Sequence, residues 1–236
     1  MTRQLLLIAA ALLLVPGCTT PGAGKTEVNQ KVVAIDAEPN HKIRFDNGRV
    51  RVYEVILAKG QATLVHEHRA DSFAVIFGNA EFINEPRGGE ARTVKLPNGF
   101  VGFSPAAGKP YSHRAVASGD AVFHVAVLEL LGPSPAGASG TSRRPDPPFK
   151  VVRESPRGRA FRITLAPGAT TSEYARPPGS MLFAVSSGRL TEVLGPGRTR
   201  LWDMEPGSFH WFEAGETISL RNEGSTLVDL VEIDVY

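Results

Sequence analysis

The chain has 236 residues, 42% of them hydrophobic and 21% charged, and a formal net charge of +2. That length suits one or two globular domains, and the small charge, with no basic stripe along the chain, excludes a phosphate-driven nucleic-acid binder. Cys18 is the only cysteine, so no disulfide can close within the chain.

The N-terminus reads as a targeting segment rather than as part of a fold. Arg3 gives a short positive start, and residues 5–15 form an apolar run too short for a standard membrane span. The run ends at Val15-Pro16-Gly17-Cys18, which resembles the bacterial lipobox, an aliphatic and then small residues before a cysteine. The resemblance implies a signal peptide over residues 1–17 and lipidation at Cys18. Thr19, in place of Asp, implies the outer membrane, facing the periplasm. Residues 18–29 follow as a Thr/Pro/Gly-rich tether between lipid and domain.

Beyond the tether no long amphipathic helix is visible. Short Val/Ile/Phe/Leu runs bounded by Gly, Pro, Asn and Asp mark an all-β sandwich or barrel. Two of these runs, residues 52–57 and 72–77, flank Gly60-Gln61-Ala62-Thr63-Leu64-Val65-His66-Glu67-His68. In a strand, residues i and i+2 point to one face, so His66 and His68 converge on one side while Glu67 turns to the other, towards solvent. His113 opens a later β-rich run, residues 115–131. Two imidazoles from one strand and one from a partner can surround a metal only if the sheet curls around them.

These residues resemble the cupin superfamily. Its first motif, G-x5-H-x-H-x(3,4)-E-x6-G, is matched by Gly60, His66 and His68, with Asp71 and Gly78 keeping the later spacing. The acid is Asp instead of Glu and comes one residue early. The second motif, G-x5-P-x-G-x2-H-x3-N, fits in two registers, one through Gly99, Pro105 and Ala107, the other through Gly102, Gly108 and Pro110. Both deliver His113, and both put Ala117 where the family has Asn. The resemblance implies metal ligation by His66, His68 and His113. For Asp71 three roles stand open: a fourth ligand, an acceptor orienting a ligand histidine, or a turn residue before the next strand. Imidazole ligation admits Fe, Mn, Ni, Cu or Zn without choosing among them.

Other polar residues carry less. His41, in the polar turn Pro39-Asn40-His41-Lys42, reads as solvated, and His124, mid-strand, as no ligand. Glu54 lines the barrel or faces solvent according to strand parity. Arg143 and Arg144 read as solvated charges in a Pro/Gly/Ser-rich linker over residues 133–148.

The two sides of that linker repeat. Leu57-Ala58-Lys59-Gly60-Gln61-Ala62-Thr63 matches Leu165-Ala166-Pro167-Gly168-Ala169-Thr170-Thr171, which indicates a duplicated domain. The expected organisation is two tandem cupin-type jelly-roll β-barrels, residues 30–132 and 149–236. In the second copy the ligand positions become Tyr174, Arg176 and Ile218, so that barrel is expected to have lost its metal.

The expectation is a lipid-anchored periplasmic bicupin holding one divalent transition metal and a small polar ligand in its N-terminal barrel, with homodimerisation through the barrels a further possibility. Two other readings stand beside it: a metal-dependent enzyme (dioxygenase, decarboxylase or sugar isomerase) and a metal-free structural envelope lipoprotein. The fold does not choose among these.

Overall fold

The computed structural model describes residues 31–132, 144 and 147–236. The expected signal peptide, the lipidation site, the tether and most of the linker lie outside the described residues.

The first half contains ten strands. The chain runs through β1 (Val33–Ala34), a 3-10 turn (Ile35–Ala37), β2 (Lys42–Asp46), β3 (Val50–Leu57), β4 (His66–His68) and β5 (Asp71–Phe77). It continues as β6 (Ala80–Pro86), β7 (Arg92–Leu96), β8 (Val101–Ser104), β9 (Tyr111–Ala117) and β10 (Phe123–Leu130). They form two five-stranded sheets, ordered β1-β4-β9-β6-β7 and β2-β3-β10-β5-β8. The second half adds β11 (Phe149–Ser155), β12 (Gly158–Leu165), β13 (Tyr174–Arg176), β14 (Ser180–Ala184) and β15 (Gly188–Val193). It ends with β16 (Thr199–Met204), β17 (Phe209–Phe212), β18 (Glu216–Asn222) and β19 (Val228–Val235). Their sheets run β11-β12-β19-β14-β17 and β13-β18-β15-β16. The protein is all-β, two tandem jelly-roll barrels.

Why the repeated L-A-x-G-x-x-T segment recurs is visible in its hydrogen bonds. Gly60 and Gly168 have φ of 83° and 72°, a conformation that costs glycine least. Each then donates its N–H to an equivalent carbonyl, Ala117 at 2.8 Å and Asn222 at 3.0 Å. The threonine closes the turn in both copies: Thr63 Oγ1 accepts the Ala115 N–H and Thr171 Oγ1 the Leu220 N–H, each at 3.0 Å. The turn thereby delivers β4 or β13 to the sheet in a fixed register.

Alternation along the strands divides each half into an interior and an outer face. In β3, Tyr53, Val55 and Leu57 pack with Ile76, Phe123 and Val125 inside the first barrel. Val50 and Val52 point the other way and join Phe73, Val75 and Leu128 in a core shared with Ala160, Met181, Phe183, Val231 and Ile233 of the second half. The barrels therefore meet through the outer faces of two sheets, and no strand of one pairs with a strand of the other among the described residues. Polar contacts rim this seam. Glu54 lies on the outer face, bonded to His124 Nε2 at 2.9 Å and paired with Arg44.

Candidate metal centre

Strand β4 lies against β9 with His66 opposite His113 and His68 opposite Tyr111. The period of two turns both β4 histidines inward, and the antiparallel register adds the third from across the ladder. His66 and His68 are 1% and 4% exposed. His68 Nε2 lies 3.1 Å from His66 Nε2 and 3.1 Å from His113 Nε2. Nitrogens each about 2.1 Å from one ion would lie about 3.0 Å apart at right angles and about 3.4 Å apart in a tetrahedron, so the spacing fits either geometry.

Hydrogen bonding prepares two of these rings to donate lone pairs. His66 Nδ1 is 2.9 Å from the Leu64 carbonyl oxygen, which can only accept, so Nδ1 carries the proton and Nε2 is bare. His113 Nδ1 makes the same commitment to Asn84 Oδ1 at 2.6 Å. His68 Nδ1 is buried without a partner, and one proton on His68 Nε2 could satisfy only one of its two neighbours. Bare acceptors thus converge on one point, the arrangement a cation relieves. Burial, followed by the neighbouring histidines, lowers the three rings to about 4 for His66, about 3 for His113 and about 2 for His68. They are neutral at physiological pH, the form in which an imidazole can donate to a metal. Tyr111 covers one flank, stacked on His68 with centroids 4.7 Å apart.

Asp71 does not join them, and of its three candidate roles the geometry leaves ligation and histidine orientation unserved. It begins β5, in the sheet facing the histidine sheet, and its carboxylate is engaged elsewhere. Oδ1 accepts the Ala107 N–H at 2.9 Å, and Oδ2 pairs with Arg157 of the second barrel at 3.3 Å. Among the described residues only His66, His68 and His113 bring metal-binding atoms together.

Two expectations are corrected by burial. His41 is 7% exposed instead of solvated, because Glu38 draws its ring inward: Nδ1 lies 2.6 Å from Glu38 Oε2. Burial opposes the Glu38 charge, but hydrogen bonds from His41, Leu64 and Asn40 prevail and pull its carboxyl down to about 2. The only sequence signal was Glu38 three residues before His41. Arg144, expected to be solvated, is buried, with its guanidinium on Glu232 and on Asp234.

The second barrel reproduces the register without the ligands. Tyr174 stands opposite Ile218 as His66 stands opposite His113. Arg176, at the His68 position, is fully buried and pairs with Glu192 at 2.9 Å and Glu232 at 3.2 Å. Its guanidinium lies 3.7 Å from the centre of the Phe212 ring. A covalently attached cation sits where the first barrel offers lone pairs.

No family model and no curated protein matches the sequence. Solved structures match the fold. AerE from Microcystis aeruginosa aligns over 84% of this chain and 98% of its own, with a TM-score of 0.59 and 12% identity. A salicylate 1,2-dioxygenase variant from Pseudoaminobacter salicylatoxidans aligns over 79% and 71%, at 0.53 and 14%. A Bacillus subtilis oxalate decarboxylase described for its Mn(II) centres aligns over 86% and 77%, at 0.52 and 12%. At these identities the likeness is one of fold.

Proposed function

From a chain with the bicupin fold and three inward histidines in one barrel only, we infer a bicupin that holds one divalent transition metal through His66, His68 and His113. It presents the remaining coordination positions to a small polar ligand. The observation that carries this is His68 Nε2 at 3.1 Å from both His66 Nε2 and His113 Nε2, with the tautomers of the latter two fixed by Leu64 and Asn84. These two acceptors orient the rings as outer partners of metal-bound histidines do. Desolvation keeps the rings unprotonated, and Tyr111 shields one side. A bound divalent ion supplies Lewis acidity, polarising an oxygen of whatever ligand it holds.

The direct test is elemental analysis and calorimetric titration of the lipid-free protein, purified without a metal-binding tag. One equivalent per chain is expected, and His113→Ala should bind at least 100-fold more weakly. Two equivalents, or equal affinity in the variant, would overturn the assignment. Metal identity among Fe, Mn, Ni, Cu and Zn is read from the same analysis.

A second reading, a metal-dependent enzyme, draws on the neighbours, whose names include an oxalate decarboxylase and a salicylate dioxygenase. Turnover of oxalate or salicylate after Mn or Fe loading would favour it. The proposed site of action is the cell envelope, with Cys18 acylated and the domain tethered at the outer membrane. Cys18→Ser should release the protein from membranes, and membrane fractionation like the parent's would end that reading.

A further inference from the structure

Arg144 belongs to the Pro/Gly/Ser-rich stretch between the barrels, yet its side chain is only 1% exposed, sunk among residues of the second barrel. What receives it there is a seat shaped for a guanidinium. Nη2 donates to Glu232 Oε1 and to Asp234 Oδ1, the latter at 2.7 Å, and Nη1 donates to the Ala175 carbonyl oxygen at 2.9 Å. The guanidinium carbon lies 5.0 Å from the centre of the Phe161 ring and 4.8 Å from that of Tyr174, near enough for both π faces to attract the charge. Phe161, Glu232 and Asp234 stand on β12 and β19 of one sheet, and Tyr174 and Ala175 on β13 of the other. Both sheets of the barrel thus contribute to the seat.

Barrel residues set the seat's carboxylates without help from Arg144. Ser180 Oγ donates to Asp234 Oδ1 at 2.9 Å, and Tyr174 Oη donates to Glu232 Oε2 at 2.8 Å. The first barrel makes no such provision: counting from the paired starts of β10 and β19, Val127 stands where Glu232 does. A carboxylate inside a barrel is costly unless a cation meets it, and the second copy carries that cost where the first is apolar. Arg144 Nε, by contrast, is buried with no partner. The seat therefore satisfies the fork of a guanidinium and ignores the stem that carries it, as a receptor for the headgroup would.

We propose that the second barrel is a receptor for small monosubstituted guanidinium compounds, and that Arg144 is its resident competitor, filling the seat from within the chain. Carboxylates at the fork and rings beside the plane select guanidinium over ammonium, which is a compact point charge with no flat face to stack. A free ligand meets a seat open only for the fraction of molecules in which Arg144 has left it, so its apparent affinity is reduced by that fraction. None of this depends on a metal in the first barrel.

The test adds methylguanidinium to the lipid-free protein, with methylammonium as the control, and follows calorimetric titration and thermal unfolding. Arg144→Ala should bind one methylguanidinium per chain, roughly tenfold or more tightly than the parent does. Saturating millimolar ligand should raise the unfolding midpoint of the variant by about 2 °C or more. Methylammonium should bind the variant roughly tenfold or more weakly. Adding Asp234→Asn to Arg144→Ala should remove the binding. Arg144→Gln, which keeps more of the side chain's bulk, serves if Arg144→Ala does not fold. Equal affinity in parent and variant, no binding to a folded variant, no preference between the two cations, or binding that survives Asp234→Asn overturns the proposal. So does failure of both Arg144 variants to fold even with methylguanidinium present, because the seat would then have no existence apart from Arg144 and the contact would be structural alone.

Discussion

Three imidazoles packed against one another keep their protons off because a charge there would be both buried and repelled by its neighbours. An ordinary histidine takes its proton near 6.5, whereas His66 does so at about 4, His113 at about 3 and His68 at about 2. The sign follows from counting protons. Between those values and 6.5 the unfolded chain binds more protons than the folded one, so stability rises with pH. The contribution is fully present above 6.5 and is lost as pH falls towards the folded values. At pH 5 each ring costs on the order of 2 kcal/mol, a large share of a typical net stability of roughly 5–15 kcal/mol. Urea unfolding of the metal-free protein should show a much lower midpoint at pH 5 than at pH 7.5. An unchanged midpoint would show that the rings are not held neutral. This much of the centre is legible in the sequence, since two histidines at i and i+2 share a strand face whatever surrounds them. His41 is not legible in that way: its burial depends on a carboxylate that closes a turn by accepting backbone N–H groups. Asp71 has the right spacing from Gly78 but the wrong sheet, and spacing does not say which sheet a strand joins.

At the scale of elements, β4 with β9 and β13 with β18 are the same ladder carrying two chemistries. Register is set by the glycine turn and the threonine after it, so the side chains at the paired positions were free to differ. The loss of ligands at Tyr174, Arg176 and Ile218 can be read by counting from Gly168. What replaced them cannot, because Glu192, Glu232 and Asp234 come from strands whose inward parity is invisible until the barrel closes. All three are fully buried. Although burial opposes its charge, Arg176 and Arg144 hold the Glu232 carboxyl below the usual range. Arg144 belongs to the stretch that reads as linker, yet its own side chain is buried against Glu232 and Asp234. Removing one partner from a buried pair leaves an uncompensated charge and costs about 3–5 kcal/mol. Arg176→Ala should therefore destabilise the protein by about that amount, measured by chemical denaturation, while Tyr174 and Glu232 remain to be satisfied. The variant, where folded, should still bind one metal per chain. A loss under 1 kcal/mol would mean that the guanidinium is a passenger in the second barrel.

The whole molecule is less divisible than its internal repeat implies. A duplication of about a hundred residues, joined by a Pro/Gly-rich segment, suggests two independent units. The structure instead stacks the outer face of one five-stranded sheet on its counterpart, so that Val50, Val52, Phe73, Val75, Phe77 and Leu128 are buried by the second barrel's Met181, Phe183, Val231 and Ile233. Fully burying each such side chain contributes roughly 1.5–3 kcal/mol, so together these residues on the first barrel account for on the order of 10 kcal/mol, comparable to the net stability of a domain. Around this apolar seam Asp71 bonds Arg157, and Arg162 bonds both Asp229 and the Asn98 carbonyl oxygen, holding the two sheets in one alignment. The barrel without ligands is thus a structural partner of the one that has them, covering a sheet face that water would otherwise meet. An exposed apolar face of that size drives association. Residues 30–132 produced alone should aggregate, or bind a hydrophobic dye and unfold at a much lower urea concentration than the full protein. Adding residues 149–236 as a separate chain should restore solubility through the same seam. If residues 30–132 are instead monomeric, fold cooperatively and bind one metal with the affinity of the full protein, the shared core is dispensable, and the metal barrel owes nothing to its partner.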